Sequence, residues 1–253
     1  MKRLSALIVL LMAILVVIAL ALRESNPPAP ALANNTLRVG IDTSYAPFGM
    51  LADGQVTGAD ADIARGVAAH LGVGIQFVPL GFDGLYDALL TDQVDVLFSA
   101  IIENPARRDR VNYSQGYFNA GLVLVSPASQ PIMRMDGLAG ARLSFGYGTS
   151  AHTVAERWHR PRRAFELRPY ETQAVALEAV RAGASDAALV DNIAARTYLR
   201  VNPDWEAIVS DVTVLPYVAA TRAERSDVSV AIDRALDMML SDGSLERILD
   251  AWL

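Results

Sequence analysis

An arginine near a predicted helix start is the side chain with the clearest chemical purpose in this sequence. In residues 95–110, a short apolar run at 96–98 is typical of a strand, and Asn104 followed by Pro105 is typical of a helix start, with asparagine as the N-cap. Arg107 then lies in the first helical turn, where the positive end of the helix dipole disfavours a cation. We predict that Arg107 binds the carboxylate of a small ligand with its guanidinium, and a solvated surface arginine is the alternative.

Two features of the second half of the chain could bind the rest of such a ligand. The turn G-T-S at 148–150 precedes a predicted helix, so backbone N–H groups near Ser150 could bind an anion. The turn lacks the G-K-[ST] of a phosphate loop, which argues against nucleotide binding. Asp191 follows a buried apolar strand, where its carboxylate could face a cleft or cap the next helix. We expect Arg107, Ser150 and Asp191 to close on one ligand.

Residues suited to acid catalysis or metal binding are few. Glu103, beside the predicted helix start, could serve in acid catalysis only if burial raised its pKa toward the working pH. A glutamate in a first helical turn also simply favours the positive end of the helix. The histidines His70, His152 and His159 lack the spacing of metal ligands, and the chain has no cysteine. We therefore expect no metal, no cofactor and no disulfide.

The elements that must position these residues alternate in type along the first half of the chain. Strands are predicted at 36–41, 73–78 and 94–99, with helices at 59–71 and 81–90 and a turn at Asp53-Gly54. This β-α-β-α-β order predicts a mostly parallel sheet with helices on both faces. Asp42 and Tyr45 follow the first strand, and Ser99 and Ala100 end the third, at the sheet edge that faces a ligand crevice.

The second half repeats this order of elements. Residues 111–117 are expected to be irregular, and strands are predicted at 120–125, 142–146, 164–168 and 187–190, with an extended segment at 205–209 and a strand crossing back at 212–220. Helices are predicted at 135–141, 151–159, 172–181, 192–199, 228–240 and 245–253. The chain of 253 residues is long enough for one large domain or for two lobes of ordinary size.

The N-terminus has the composition of a targeting segment rather than of a folded element. Residues 4–22 follow a short basic start and contain no charged residue, a run long enough to span a bilayer. Ala31-Leu32-Ala33 is an A-x-A-like site that favours cleavage after Ala33, whereas retention would leave a membrane anchor joined by the Pro-rich spacer at 27–30. Both alternatives place the globular part outside the cytoplasm.

The charge balance argues against nucleic acid as a partner. The whole chain has 22 basic and 28 acidic residues. Residues 1–33 contain three of the basic and one of the acidic residues, so the rest carries 19 and 27 and a net charge of about −8. An acidic protein without a basic patch does not fit a phosphate backbone.

Several short segments, in this order and spacing, resemble one protein family. They are L-R-V-G-I-D-T-S-Y-A-P-F from residue 37, G-A-D-A-D-I-A from 58, F-D-G-L-Y-D-A-L from 82, N-P-A-R-R-D-R-V-N-Y-S from 104, G-Y-G-T-S from 146, D-A-A-L-V-D from 186 and D-G-S-L-E-R-I-L-D-A-W from 242. Over residues 37–253 the chain resembles family 3 extracellular solute-binding proteins, the periplasmic amino-acid receptors of ABC importers.

This resemblance implies an α/β architecture, the type II periplasmic-binding-protein fold. Two lobes, each a mixed and mostly parallel sheet flanked by helices, would be joined by two hinge strands and close over the ligand. Lobe 1 would comprise residues 36–120 and 215–253, and lobe 2 residues 122–208, with hinge segments near 119–122 and 208–216. A receptor of this type would be a monomer that delivers an amino acid to a membrane permease.

The resemblance also assigns ligand contacts to this sequence. Arg107 would bind the α-carboxylate together with amides near Ser150, and Asp191 would bind the α-ammonium. The other positions that would line the ligand are Asp42, Tyr45, Phe82, Ser99, Ala100 and Ile102. Asp42 could pair with a basic or amide side chain, and the aromatic surroundings suit a small acidic ligand poorly, so a polar or basic amino acid is favoured.

Ile102 departs from the family pattern, which usually has a hydroxyl residue there to help bind the α-ammonium. Three explanations are open. Asp191 could bind the ammonium with fewer partners, Glu103 could turn inward to compensate, or the ligand could lack the form of a standard α-amino acid. Two other functions also remain as alternatives, namely a dehydratase-like enzyme for prephenate-like acids on the same fold and a ligand-sensing module.

Overall fold

Two five-stranded sheets form the body of the protein in a computed structural model, which describes residues 30–159 and 165–253. The predicted targeting segment and most of its Pro-rich spacer lie outside the described residues. The chain from Leu32 to Leu253 packs as one unit. Within the described ranges, no helix is both long and apolar enough to cross a membrane.

The strands follow the predicted alternation closely. In chain order they are β1 (Thr36–Ile41), β2 (Met50–Ala52), β3 (Gln55–Thr57), β4 (Gly74–Pro79), β5 (Val96–Ile102), β6 (Val111–Asn119), β7 (Leu122–Pro127), β8 (Arg142–Gly146), β9 (Glu166–Tyr170), β10 (Ala187–Asp191), β11 (Ala207–Asp211) and β12 (Pro216–Arg222). The hairpin of β2 and β3 turns at the predicted Asp53-Gly54.

The helices are α1 (Ala59–Leu71), α2 (Leu85–Leu90), α3 (Ser150–Trp158), α4 (Gln173–Arg181), α5 (Asn192–Val201), α6 (Ser226–Ser241) and α7 (Ser244–Trp252). Single 3-10 turns are formed by Ala33–Asn35, Phe82–Gly84, Pro105–Arg107 and Met135–Leu138. The bounds of α1 agree with the prediction, because Gly72 adopts the left-handed conformation that ends a helix. Side-chain N-caps at Thr149, Thr172 and Asp191 likewise fix the starts of α3, α4 and α5.

Both sheets have the same topology. The first has the strand order β4-β1-β5-β12-β6 and the second the order β9-β8-β10-β7-β11. In each, the first three strands are parallel and the last two run antiparallel to their neighbours. Helices cover the faces of both sheets, so each lobe has apolar clusters of its own, with Ile63 and Leu97 in the first lobe and Leu177 and Phe145 in the second.

An arginine–aspartate clamp recurs at the same place in both lobes. Asp95 accepts hydrogen bonds from the backbone N–H, Nε and one terminal nitrogen of Arg38, at 2.9, 3.0 and 2.7 Å. Asp186 accepts the same three bonds from Arg142, at 2.7, 3.0 and 2.6 Å. In the first lobe the clamp joins β1 to the turn that precedes β5. In the second lobe it joins β8 to the turn that precedes β10. The Arg142 guanidinium lowers the pKa of the Asp186 carboxyl.

The chain passes between the two sheets twice, and the two passing segments are hydrogen-bonded to each other. Ala120 donates its N–H to the carbonyl of Leu215 at 2.8 Å, and Leu122 donates to the hydroxyl of Thr213 at 2.7 Å. A side chain on Gly121 would lie 2.0 Å from the Thr213 carbonyl oxygen, so only glycine permits this approach. The contact lies within the segments that the resemblance marks as hinges.

Two sequence predictions about this region of the first lobe are wrong. Residues 111–117 were expected to be irregular, but they belong to β6, which pairs with β12 about a hundred residues later. The helix predicted after Asn104 is a single 3-10 turn, although Asn104 does cap it by accepting a bond from the Ala106 N–H at 3.0 Å. A turn this short has little dipole, so the helix dipole does not account for the placement of Arg107.

Candidate functional site

The predicted site residues lie at the carboxyl ends of parallel strands in both lobes, where α/β proteins bind ligands. Asp42 follows β1, and its backbone N–H donates to the hydroxyl of Ser99 on β5 at 2.9 Å. The Asp42 carboxylate accepts a bond from the Ser44 N–H at 2.8 Å and so shapes the loop that carries Tyr45. Asp42 and Ser99 are both buried, and the structure brings them together as neighbours at one strand edge.

Ala100 gives the end of β5 an unusual backbone. It has a φ of +47°, in the left-handed region that residues other than glycine seldom adopt. Its N–H points into the lobe and donates to the carboxylate of Asp60 at 2.6 Å. Such an outlier at a strand end that carries predicted ligand contacts is typical of a functional site.

Three apolar side chains of the predicted site are exposed. Tyr45 is 45%, Phe82 53% and Ile102 45% accessible to solvent. Tyr45 stacks on Phe48, and its hydroxyl lies 3.3 Å from that of Tyr217, the residue opposite Ile102 in β12. Exposure of these side chains means that the cleft is open to water in this structure, because a closed site would cover them.

Arg107 lies with its guanidinium over the ring of Tyr86, 4.2 Å from the ring centroid. In the described ranges it forms no ion pair, whereas its neighbour Arg108 pairs with Glu103. The aromatic face attracts the cation and limits the directions in which it can point. Arg107 is thus an exposed, oriented cation that is free to bind an anion.

Glu103 does not turn inward, so one of the three explanations offered for Ile102 is wrong. Its carboxylate accepts a short hydrogen bond from Nε of Arg108 on the same loop. This bond lowers the pKa of the Glu103 carboxyl. A general acid needs the opposite shift, so the geometry also speaks against a catalytic role for Glu103.

The G-T-S turn starts helix α3 as predicted, and Ser150 is its first residue. Thr149 caps the helix by accepting a bond from the His152 N–H at 3.4 Å. His152 in turn accepts a bond at its Nδ1 from the Gly148 N–H at 3.2 Å and stacks on Phe145. The histidine therefore supports the turn, and Ser150 is left exposed at the helix start.

Asp191 fulfils both of the roles that the sequence left open. It ends β10 and caps α5 by accepting a bond from the Ala194 N–H at 2.7 Å. Its other carboxylate oxygen accepts a short bond from the side-chain amide of Gln173, whose Oε1 accepts from the Asp191 N–H at 2.8 Å. The carboxylate also lines a cavity of about 470 Å³, so it is held rigidly while one side remains accessible.

This cavity joins the two lobes. Tyr45 from the first lobe and Asp191 from the second line it together. The rest of its wall is contributed by α4 and α5 through Gln173, Ala174, Ile193, Ala194, Thr197, Tyr198 and Val201. The structure does not bring the other predicted residues to this cavity, namely Asp42, Phe82, Ser99, Ala100, Ile102, Arg107 and Ser150.

Three supporting residues were missed by sequence reasoning. Gln173 fixes Asp191, Tyr86 supports Arg107, and His152 supports the G-T-S turn. Gln173 and Tyr86 are each more than ten residues from their partners in the sequence. His152, in contrast, is close in sequence to the turn that it supports. For His152, a histidine two residues after G-T-S was a signal that spacing could have used, whereas the pairing of Gln173 with Asp191 needs the folded sheet.

Two similar α/β lobes joined by paired crossing segments define a two-lobed binding protein of the type II periplasmic class. Comparison with known sequences makes the assignment more specific. Residues 37–253 match the model of the bacterial extracellular solute-binding proteins, family 3. The chain belongs to this family.

Individual relatives agree with this assignment. The L-cystine-binding protein TcyJ of Escherichia coli K12 is 28% identical over 222 residues, covering 86% of this chain and 82% of the relative. The unliganded, open L-cystine solute receptor of Neisseria gonorrhoeae has the same fold, with a TM-score of 0.70 and 23% identity over 86% of this chain and 92% of the receptor. The ancestral amino-acid-binding protein AncCDT-1, a precursor of cyclohexadienyl dehydratase, is 29% identical, with a TM-score of 0.51 over 87% and 96% of the two chains.

Proposed function

We propose that this protein is an extracytoplasmic substrate-binding protein that captures an α-amino acid between its lobes and delivers it to an ABC importer. The observation that carries the proposal is a pair of opposite charges, one in each lobe, of which one follows β5 and the other ends β10. Arg107 is an oriented cation that forms no ion pair within the described residues, and Asp191 is a rigidly held carboxylate on a cavity wall. An α-amino acid presents the complementary pair of charges.

Physical chemistry favours a zwitterion over a singly charged ligand at such a site. Burying one ionic group without a partner costs several kcal/mol, so a closing cleft must neutralise both ends of its ligand. Arg107 suits the α-carboxylate through bidentate hydrogen bonds, helped by the amides near Ser150. Asp191 suits the α-ammonium because its carboxylate is already fixed by Gln173 and the Ala194 N–H.

The remaining predicted contacts fit around such a ligand. Tyr45 and Phe82 would cover its side chain, and Asp42, Ser99 and Ala100 would contact it from the edge of the first sheet. Ile102 adds apolar surface and no hydrogen bond, so Asp191 would bind the ammonium with fewer partners than is usual in the family. Exposed aromatic side chains that become buried on closure supply apolar contact area.

Closure would be a hinge motion between lobe 1 (36–120 and 215–253) and lobe 2 (122–208). The paired segments at Gly121 and Thr213 support this division, because the chain crosses between the sheets there. Ligand would shift the equilibrium toward the closed form, which a membrane permease recognises. A monomer suffices for this function, since each chain contributes both lobes.

The enzymatic alternative is less well supported. AncCDT-1 relates this fold to a dehydratase, but Glu103, the candidate acid from the sequence, pairs with Arg108 and has a lowered pKa. The family itself is one of solute-binding proteins. We therefore propose binding without catalysis, and a sensing role would require a separate signalling partner.

The side chain of the ligand is proposed to be polar or basic. TcyJ binds L-cystine, a polar and extended amino acid, and the cavity beside Asp191 has room for such a ligand. Asp42 would accept from a basic or amide group at the other wall. Small acidic ligands fit poorly beside Tyr45, Phe82 and Ile102.

A thermal-shift screen tests the proposal directly. The full-length protein would be heated with each of the twenty amino acids, L-cystine, several diacids including prephenate, and simple amines. A ligand that binds only the folded protein raises the melting temperature by mass action. We expect a shift with one or two polar or basic amino acids and none with prephenate.

The matched pair Arg107→Ala and Arg110→Ala then identifies the carboxylate site. Arg107→Ala should weaken binding of the amino acid by at least about 2 kcal/mol, because the ligand carboxylate loses its partner. Arg110→Ala removes a neighbouring exposed arginine and should bind normally. Near-normal affinity in Arg107→Ala would contradict the assignment, and a shift with prephenate alone would favour the enzyme.

A further inference from the structure

The left-handed backbone of Ala100 needs a structural cause. Its φ of +47° is disfavoured for a residue with a β-carbon. The neighbouring positions Ser99 and Ile102 belong to the same strand end, which carries predicted ligand contacts. Whatever holds Ala100 in this conformation therefore also sets the shape of this wall of the ligand site.

The group that holds Ala100 is a buried carboxylate. Asp60 lies in the first turn of α1 and is 0% exposed. One of its oxygens accepts a bond from the Ala100 N–H at 2.6 Å, and the other accepts a bond from the hydroxyl of Tyr117 on β6 at 2.7 Å. Burial of a carboxylate in an apolar core is costly, so its presence calls for an explanation beyond helix formation.

Among the residues that the structure describes, no cation pairs with the Asp60 carboxylate. Facing the carboxylate are the hydroxyl of Tyr117 and, at longer range, that of Tyr217 on β12. Val39 on β1, Phe98 on β5 and Ile232 on α6 belong to the apolar cluster around it. On its own helix, Asp62 is turned toward Arg65 and toward Trp252 of α7.

The protonation state of Asp60 can change in the physiological range. Burial raises the pKa of its carboxyl to about 6, while the hydrogen bonds from Tyr117 and Ala100 act to lower it. Above this pH both oxygens are full acceptors. Below it, the oxygen that faces Tyr117 can carry the proton and donate to the Tyr117 hydroxyl, and the bond from the Ala100 N–H then loses the negative charge of its acceptor and weakens.

We propose that ionised Asp60 is a positioning residue for the ligand site, which holds the end of β5 in its binding geometry through the Ala100 N–H and holds it less firmly when protonated. This rests on the proposed function, because it assumes that the ligand contacts this strand end. A cationic ligand group there would in turn favour the ionised form, since the two charges attract. Affinity should therefore fall as the pH falls through the range in which Asp60 takes up a proton.

A ligand-independent measurement tests the coupling of Asp60 to Ala100. In the ¹H–¹⁵N NMR spectrum of the free protein, the Ala100 amide should titrate with a midpoint near pH 6. The same amide should be insensitive to pH in Asp60→Asn. In Tyr117→Phe the midpoint should move upward, because a bond that favours the ionised carboxylate is lost. An Ala100 amide that does not titrate, or that titrates unchanged in both variants, would overturn the proposal.

Binding measurements test the consequence for the ligand site. Isothermal titration with L-arginine, L-glutamine and L-cystine in parallel, between pH 5 and 8, should show affinity about threefold weaker at pH 5 than at pH 7.5. Asp60→Asn should bind with nearly the same affinity at both pH values, and Tyr117→Phe should lose affinity at a higher pH than the wild type. Equal pH profiles for wild type and Asp60→Asn would overturn a positioning role.

The two proposals fail in different ways. If none of the three amino acids binds at any pH, the amino-acid ligand is wrong, and the NMR titration still decides whether Asp60 controls the strand end. If Asp60→Asn does not fold, Tyr117→Phe provides the test instead. An upward shift in the midpoint of its pH profile would support the proposal, because a tyrosine with a purely structural role would not move that midpoint.

Discussion

Gln173 and Asp191 hold each other through two hydrogen bonds that close a ring. The side-chain amide of Gln173 donates to the Asp191 carboxylate, and the backbone N–H of Asp191 donates back to Oε1 of Gln173 at 2.8 Å. Gln173 is the first residue of α4, whereas Asp191 ends a strand in the middle of the second sheet. The ring fixes the carboxylate orientation before any ligand arrives, which lowers the entropic cost of binding.

Removing this support should weaken ligand binding without removing the charge. We expect Gln173→Ala to lose about three- to tenfold in amino-acid affinity, the loss of one hydrogen bond to a charged group. Gln173→Glu should lose more, because it places a second carboxylate against Asp191. Isothermal titration measures both, and Gln130→Ala in an exposed turn is the control. Unchanged affinity in Gln173→Glu would contradict the role of Asp191 as the ammonium partner.

The two arginine–aspartate clamps should differ in their contribution to stability. Arg38→Ala leaves Asp95, whose side chain is almost fully buried, without its cation, and should lower the free energy of unfolding by about 3 kcal/mol. Arg142→Ala leaves Asp186, which is about one-third exposed, and should cost clearly less because water replaces part of the interaction. Urea unfolding compares the two variants. Equal losses in the free energy of unfolding would mean that burial of the aspartate does not determine how much each clamp stabilises the protein.

Arg196 connects the lobes on another face of α5. Its guanidinium bonds to Glu246 and Asp250 of α7, in the first lobe, while its buried Nε has no hydrogen-bond partner among the described residues. These ion pairs stabilise the form whose cleft is open to water. Arg196→Met should therefore shift the equilibrium toward closure and raise ligand affinity about two- to fivefold.

The control for this prediction lies one turn along the same helix. Arg200 is exposed and forms no ion pair in the described ranges, so Arg200→Met removes the same charge without breaking a contact between lobes. Titration of both variants at low and high salt distinguishes the effects, because exposed ion pairs are screened. Weaker binding in Arg196→Met would show that the ion pairs belong to the closed form instead.

Asp60 should make stability depend on pH in an unusual direction. Because burial raises its pKa from about 4 to about 6, the folded state binds the proton more tightly than the unfolded state. The resulting stabilisation is fully present below pH 4 and is lost as the pH rises through 6, a difference of about 3 kcal/mol. Urea unfolding of wild type and Asp60→Asn at several pH values measures this difference.

The comparison of the two proteins isolates Asp60 from other titrating groups. We expect Asp60→Asn to gain stability over the wild type as the pH rises from 4 to 7, even though it binds ligand less well at pH 7.5. Parallel stability curves would mean that Asp60 does not change its protonation state on unfolding.

Local sequence signals determined the elements and the polar residues at their ends. Helix α1 was predicted with its observed bounds, because a glycine that can adopt the left-handed conformation marks its end. Ser150 at the start of α3 and Asp191 after an apolar strand were found in the predicted local settings, whereas Arg107 follows the predicted Asn104 cap in a 3-10 turn instead of a helix. The order of strands and helices also predicted the α/β class, since parallel strands require helical crossovers.

Contacts between distant segments were decided only by the tertiary structure. Strand β6 has a mixed polar pattern and forms because β12 pairs with it from about a hundred residues away. Glu103 pairs with Arg108 because of the rotamers that the two side chains adopt. Gln173 supports Asp191 because the fold brings their two elements together in space. The bond from Ala100 to Asp60 spans 40 residues and fixes a backbone conformation that alanine does not prefer. Sequence periodicity reports which face of an element is buried, whereas these pairings depend on which elements become neighbours when the two sheets assemble.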